Sequence, residues 1–178
     1  MDYNKNERGN LLTGSFRDRE SAEQAYNRMR ERGYTDNEIN IIMSDETRKK
    51  YFDKDVKKES EFGTKSMEGA GAGSVIGGAV GAAVGIIAAI GTSLAIPGLG
   101  IVIAGPIAAG LAGAGAGGIT GGIIGALVGA GIPEDRAKEY ERGIKEGHIV
   151  MGVRPRSDQD AEYLEENWQQ HHGEDIYR

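Results

Sequence analysis

Gly113, Gly115 and Gly118 stand in the Gly-x-Gly-x-x-Gly spacing with which a strand-to-helix turn cradles a dinucleotide pyrophosphate. That chemistry needs a strand before the glycines and a helix after them. Here they lie in a run so rich in glycine that the spacing arises by chance. Glu134 and Asp135 follow downstream, but they suit the first turn of the next helix better than a ribose. "GTKS" at 63–66 lacks the Gly-Lys-Ser core of a phosphate loop. His171 and His172 are adjacent, so a helix turns them apart, and His148 is the only other histidine. Asp158 and Asp160 could form a general acid–base pair only in an apolar cleft that raises one pKa; the start of a helix explains them better. Tyr140 and Trp168 fall at core positions of helical stripes. The chain has no cysteine, hence no thiolate nucleophile, thiolate metal site or disulfide. No catalytic residue, metal site or cofactor is therefore assigned, and the expectation is a protein that is not an enzyme.

The segments that would position any such groups come next. "NLLTGSF" (10–16) reads as a strand with Leu12 and Phe16 on one face. Asp18 can cap a helix whose apolar positions are Ala22, Ala25, Tyr26 and Met29, and Gly33 can end it. "EINIIMS" (38–44) is the next strand. Residues 45–66 are charge-dense and read as a solvated linker, with a helical turn around Tyr51 and Phe52. Pro133 can open a further helix bearing Ala137, Tyr140 and Ile144, with Gly147 at its end. "HIVMGVR" (148–154) is a strand. Ser157 and Asp160 make a capping-box-like start for a helix carrying Ala161, Leu164 and Trp168; Gly173 ends it, and "EDIYR" supplies a last strand.

The order is β-α-β, insert, helix, β-α-β. Two such halves sharing one antiparallel sheet, with helices on one face, give a ferredoxin-like α+β arrangement. Neither half buries enough apolar surface alone. The expected division is 1–44 as the first half, 45–66 as linker, 67–132 as an apolar insert, and 133–178 completing the domain.

The insert is the most distinctive part. The net charge is −6, yet residues 69–133 carry no charged side chain and hold 21 of the 29 glycines. Residues 1–68 carry 14 Lys/Arg against 15 Asp/Glu, and 134–178 carry 7 against 12, so no basic surface for nucleic acid is indicated. No small-molecule substrate is identified either. Gly69, Gly73, Gly77, Gly81 and Gly85 recur every four residues, as do Gly113, Gly117, Gly121, Gly125 and Gly129, and the two series mirror each other about Leu99. Val and Ile fill the gaps, unlike a Gly/Ser linker. Each interior glycine costs a helix about 1 kcal/mol relative to alanine, a cost that only close backbone packing offsets. The pattern predicts an antiparallel glycine-zipper α-helical hairpin, with Pro97, Gly98 and Gly100 in its turn.

Helices over 69–96 and 106–131 would be about 42 and 39 Å long, enough for a hydrocarbon core of about 30 Å. Lys49, Lys50, Lys54, Lys57, Lys58 and Lys65 precede the block, and Arg136 and Lys138 follow it. That is a positive-inside pattern. The polar start "MDYNKNERGN" shows no secretory signal.

"LLTGSFRDRESAEQAYNRMRERGYTDNEINIIMSD" and "GIPEDRAKEYERGIKEGHIVMGVR", together with the Gly/Ala-rich middle and its "IPG" turn, resemble the YflT-type general stress protein (heat-induced stress protein) family. The resemblance implies a bacterial, stress-associated protein with no defined molecular activity, and it brings no catalytic residues. Three readings follow. In the first, the hairpin is a transmembrane element in the inner membrane, with membrane lipid and other copies of the chain as partners and both termini cytoplasmic. In the second, the protein is a cytoplasmic homo-oligomer whose hairpins form its buried core. In the third, a ligand-binding or sensor module uses the open face of the sheet.

Overall fold

The computed structural model describes residues 11–52, 94–96, 98–109 and 122–178. The chain begins with β1 (Leu12–Phe16), α1 (Arg19–Glu31), β2 (Ile39–Ser44) and α2 (Asp45–Tyr51). A short hairpin follows, β3 (Leu94–Ile96) and β4 (Ile101–Ala104). Then come α3 (Gly122–Gly129), α4 (Glu134–Glu146), β5 (Ile149–Val153), α5 (Asp158–Gln170) and β6 (Glu174–Tyr177). The fold is mixed helix and strand around one antiparallel sheet, ordered β3-β4-β2-β5-β1-β6. β5, from the C-terminal half, lies between β2 and β1 of the N-terminal half.

Local chemistry sets the ends of the helices. The Asp18 carboxylate accepts from the Ser21 amide at 2.8 Å and caps α1. The Ser157 hydroxyl accepts from the Asp160 amide at 3.1 Å and caps α5. Gly147, at φ 97°, closes α4 in the left-handed region. The charged stretch after β2 begins with α2, where the Ser44 hydroxyl accepts from the Thr47 amide at 3.0 Å.

Helices cover both faces of the sheet, not one. Leu12, Phe16, Ile39, Ile41, Met43, Ile149, Met151 and Val153 point to the side where α1 and α5 pack. There α1 buries Ala22, Ala25, Tyr26 and Met29, and α5 buries Leu164 and Trp168. The Trp168 ring meets Phe16 edge-on, with centroids 5.7 Å apart. Ile42, Ile103 and Val150 point to the other side, against Ile123, Ala126 and Leu127 of α3 and Ala137, Tyr140 and Ile144 of α4. The physical reason lies in the strands: β1, β4 and β5 are buried at every position. A strand buried on both faces needs a second helical layer. The expected open sheet face is thus filled, by α3 and α4.

The expected helical hairpin is corrected at its centre. Around the mirror point at Leu99 the chain forms strands, with Leu94 opposite Ile103, Ala95 opposite Val102 and Ile96 opposite Ile101. β4 pairs in turn with β2, Ile101 opposite Ser44 and Ala104 opposite Ile41. Gly98 and Gly100, at φ 86° and 63°, sit in a turn that joins β-strands, not the two helices expected. Local sequence explains this: "IVIA" is a short apolar run rich in β-branched residues, "LAI" is a short apolar run, and β2 offers them an edge.

The membrane-spanning expectation falls with it. Among the described residues no helix is long and apolar enough to cross a membrane. At eight residues α3 spans about 12 Å. The middle of the block, which would have to reach the far side of a bilayer, is instead hydrogen-bonded into the sheet.

Candidate functional site

The described part of the apolar block is held to the domain by a buried polar device. Asn40 stands on β2, facing the α3–α4 side, and is 3% exposed. Its Nδ2 donates to the Gly152 carbonyl at 3.1 Å, and its Oδ1 accepts from the Ile107 amide at 2.8 Å. That second bond satisfies an amide at the start of the helical residues 106–109, which otherwise has no partner in its own turn. Just before it Gly105, at φ 90°, brings the chain hard against β2: a Cβ there would lie 2.2 Å from the Ile39 carbonyl oxygen. One side chain and one glycine therefore fix where the block leaves the sheet.

At the other end of the β2–β4 pair, where Ser44 stands opposite Ile101, a cavity of about 320 Å³ opens between α2, the β3–β4 turn, α3 and α4. Leu99, Ile101, Ile123 and Ile144 give it an apolar lining, with Asp45, Lys49 and Lys145 among its polar residues. Those cations are matched: Lys49 Nζ lies 2.5 Å from Asp45, and Lys145 Nζ 3.2 Å from Glu141. The Asp45 carboxyl is held below its ordinary range, first by the Lys49 hydrogen bond. Ser44 and Glu46 complete its polar side, and with both lysines matched by carboxylates the lining singles out no ligand.

A second polar cluster ties the two halves together. Asp160, 7% exposed, accepts from the Tyr34 hydroxyl and, at 2.7 Å, from Arg32 Nε. Arg156 donates its backbone amide to the Tyr34 oxygen at 3.1 Å, and its guanidinium to the Gly33 carbonyl and Glu38 at 3.0 and 3.1 Å. Burial alone would raise the Asp160 carboxyl; the hydrogen bonds from Tyr34 and Arg32 outweigh it and hold the group below its usual range. Burial and the bond to Asp160 push the Tyr34 phenol up to about 12. Glu38, at the surface, is pushed down to about 2, first by the Thr35 amide, then by the Thr35 hydroxyl and Arg156. This cluster is a clasp between the α1–β2 and β5–α5 loops, built from residues whose partners are all protein groups.

On the opposite face the Tyr140 hydroxyl sits 2.7 Å from the Asp175 carbonyl and 2.8 Å from Thr13 Oγ1. It donates to the carbonyl and accepts from the threonine, and burial raises its pKa to about 12. Tyr140 and Trp168 are fully buried, as their stripes predict. Asp158 pairs at the surface with Arg178 at 2.7 Å. His171 and His172 lie at the end of α5, far in sequence from His148 beside Gly143. Among the described residues no group of three or more His, Asp or Glu side chains could hold a metal ion.

The expected contact glycines are mostly outside the described residues: Gly69, Gly73, Gly77, Gly81, Gly85, Gly113, Gly117 and Gly121, as are Pro97, the dinucleotide-like glycines and residues 63–66. Gly125 and Gly129 lie on α3, and no described atom stands within 4 Å of a Cβ built at either. The same helix carries Val128, 43% exposed, with Ile124 partly buried nearby in sequence. Asn40, Gly105 and the Asp160 clasp escape a reading by motif. The one hint at Asn40 is a lone amide in an otherwise apolar strand.

Compared with family models, curated proteins and solved structures, the chain matches none.

Proposed function

We propose that this chain is a non-enzymatic, stress-associated protein of the bacterial cytoplasm that assembles with itself in water, the apolar segments of neighbouring copies packing together as a buried core. The observation that carries this reading is the 65-residue run without charge, 69–133, whose centre joins the sheet edge and not a membrane-spanning helix. A run of that composition needs partners for its apolar surface. α3 already presents Val128 to solvent on the one part of the run that leads back to the domain. The glycines spaced by four supply the close-approach surface in this account. The strand order β2-β5-β1-β6 supports a ferredoxin-like frame beneath the insert. The stress-associated role rests on the resemblance to YflT-type proteins.

Gly81→Leu and Gly121→Leu test the proposal. On this reading each places a bulky side chain on the contact surface, and both positions lie outside the described strands and helices. Gel filtration in detergent-free buffer is expected to show both variants eluting as smaller species than the parent, with unchanged near-ultraviolet dichroism from Trp168. Elution of both variants with the parent would remove the glycine surfaces from the assembly.

A further inference from the structure

Cut between α2 and β3, the chain divides into a first piece with β1, α1, β2 and α2 and a second piece with the rest. The sheet crosses that division. In the order β3-β4-β2-β5-β1-β6 the two strands of the first piece are not neighbours: β2 lies between β4 and β5, and β1 between β5 and β6. Four of the five ladders among the described residues, all but β3–β4, therefore join one piece to the other. Side chains repeat the pattern. Phe16 meets Trp168, Asn40 bonds the Gly152 carbonyl and the Ile107 amide, and Tyr34 and Arg32 donate to Asp160. The Thr47 hydroxyl donates to the Gly147 carbonyl at 3.2 Å, and the Asp45 amide to the Gly100 carbonyl at 2.8 Å. Pulling the pieces apart would strip β1 and β2 of both their ladders and open the core beneath α1 and α5.

We infer that the domain is an interlocked two-piece body: its pieces hold together without the peptide bond that joins them, so proteolysis between α2 and β3 leaves it standing as two chains. The inference is independent of the self-assembly reading. A cut between Glu61 and Phe62 puts the whole uncharged run, 69–133, on the larger piece. The smaller piece carries none of that run, and the interlock retains it.

A protease recognition sequence inserted between Glu61 and Phe62 lets the cut be made in the folded, full-length chain. A tether holds its two ends at roughly millimolar effective concentration. At micromolar chain the cut therefore lowers the folded-to-unfolded ratio about a thousand-fold, and only an extensive interlock survives it. Both pieces are expected to leave a detergent-free gel-filtration column in one peak. The near-ultraviolet dichroism of Trp168 should be unchanged, because that ring packs on Phe16 of the other piece. Residues 1–61 and 62–178 expressed together as two chains should likewise purify as one complex, which covers the case of an inserted sequence that disturbs folding. Asp160→Ala removes bonds between the pieces and should raise the dissociation constant of the smaller piece about thirty-fold. Asp158→Ala, whose partner Arg178 lies in the same piece, should leave it unchanged. Separation of the pieces on cutting and on co-expression, or equal retention in the two variants, overturns the interlock and leaves the self-assembly of the uncut chain untouched.

Discussion

Gly105→Ala is expected to cost the fold about 3 kcal/mol or more, the scale of forced steric conflict with a rigid backbone. The residue has φ 90°, where L side chains are strained. The added Cβ would also lie 2.2 Å from the Ile39 carbonyl oxygen and 3.0 Å from the Asn40 Cα. Neither atom can step aside easily, since β2 is held between β4 and β5 by ladders on both sides. Relief must come from moving residues 105–109 away from β2, and that breaks the bond from the Ile107 amide to Asn40. Gly100→Ala is the control. Its φ is also positive, but no described atom lies within 4 Å of a Cβ there, so the cost is about 1 kcal/mol from backbone strain alone. Urea unfolding followed by circular dichroism separates the two. A Gly105→Ala midpoint no lower than that of Gly100→Ala would refute the close approach.

Asp160→Ala should destabilise by about 2 to 3 kcal/mol, less than the roughly 3 to 5 kcal/mol of a fully buried pair, because Arg32 is partly exposed and regains some hydration. The loss leaves the Tyr34 hydroxyl and the Arg32 guanidinium without their acceptor. The same carboxylate sets a pH dependence. Its folded pKa lies below the ordinary carboxylate value, so the unfolded chain binds more protons as acid is added. Stability from this group is therefore complete above the usual carboxylate range and is lost as pH falls through it. In Asp160→Asn that acid-dependent part is gone, although the amide keeps one acceptor for Tyr34. Urea midpoints measured at neutral and acidic pH check this: the gap between parent and Asp160→Asn should narrow toward low pH, and a constant gap would speak against the clasp.

The frame of the molecule was legible because its signals are local. Asp18, Ser157 and Gly147 act on neighbours a few residues away, and they end their helices where their chemistry says they should. The apolar stripes of α1, α4 and α5 were equally direct. Three features depend on distant chain, and local pattern does not disclose them. "IVMGV" is a continuous uncharged, largely apolar run, and "INIIM" is one but for Asn40, the mark of strands covered on both faces, yet the helix-on-one-face arrangement followed from element order alone. The mirror symmetry about Leu99 was real, and the turn lies there. Symmetry of glycine spacing does not say whether the residues next to the turn are helix or strand; an available partner, the β2 edge, decided for strand. Asp160 looked like a helix-start acid, and its amide does meet Ser157. Its carboxylate instead serves Tyr34 and Arg32, 126 and 128 residues away, a pairing that no spacing rule discloses.

The central claim is that the uncharged run serves assembly in water. Light scattering on the unmodified chain, gel-filtered without detergent across micromolar concentrations, tests it most directly. The account predicts one species whose mass is a whole multiple, two or more, of the 18.9 kDa chain. A stable 18.9 kDa monomer throughout that range would contradict it.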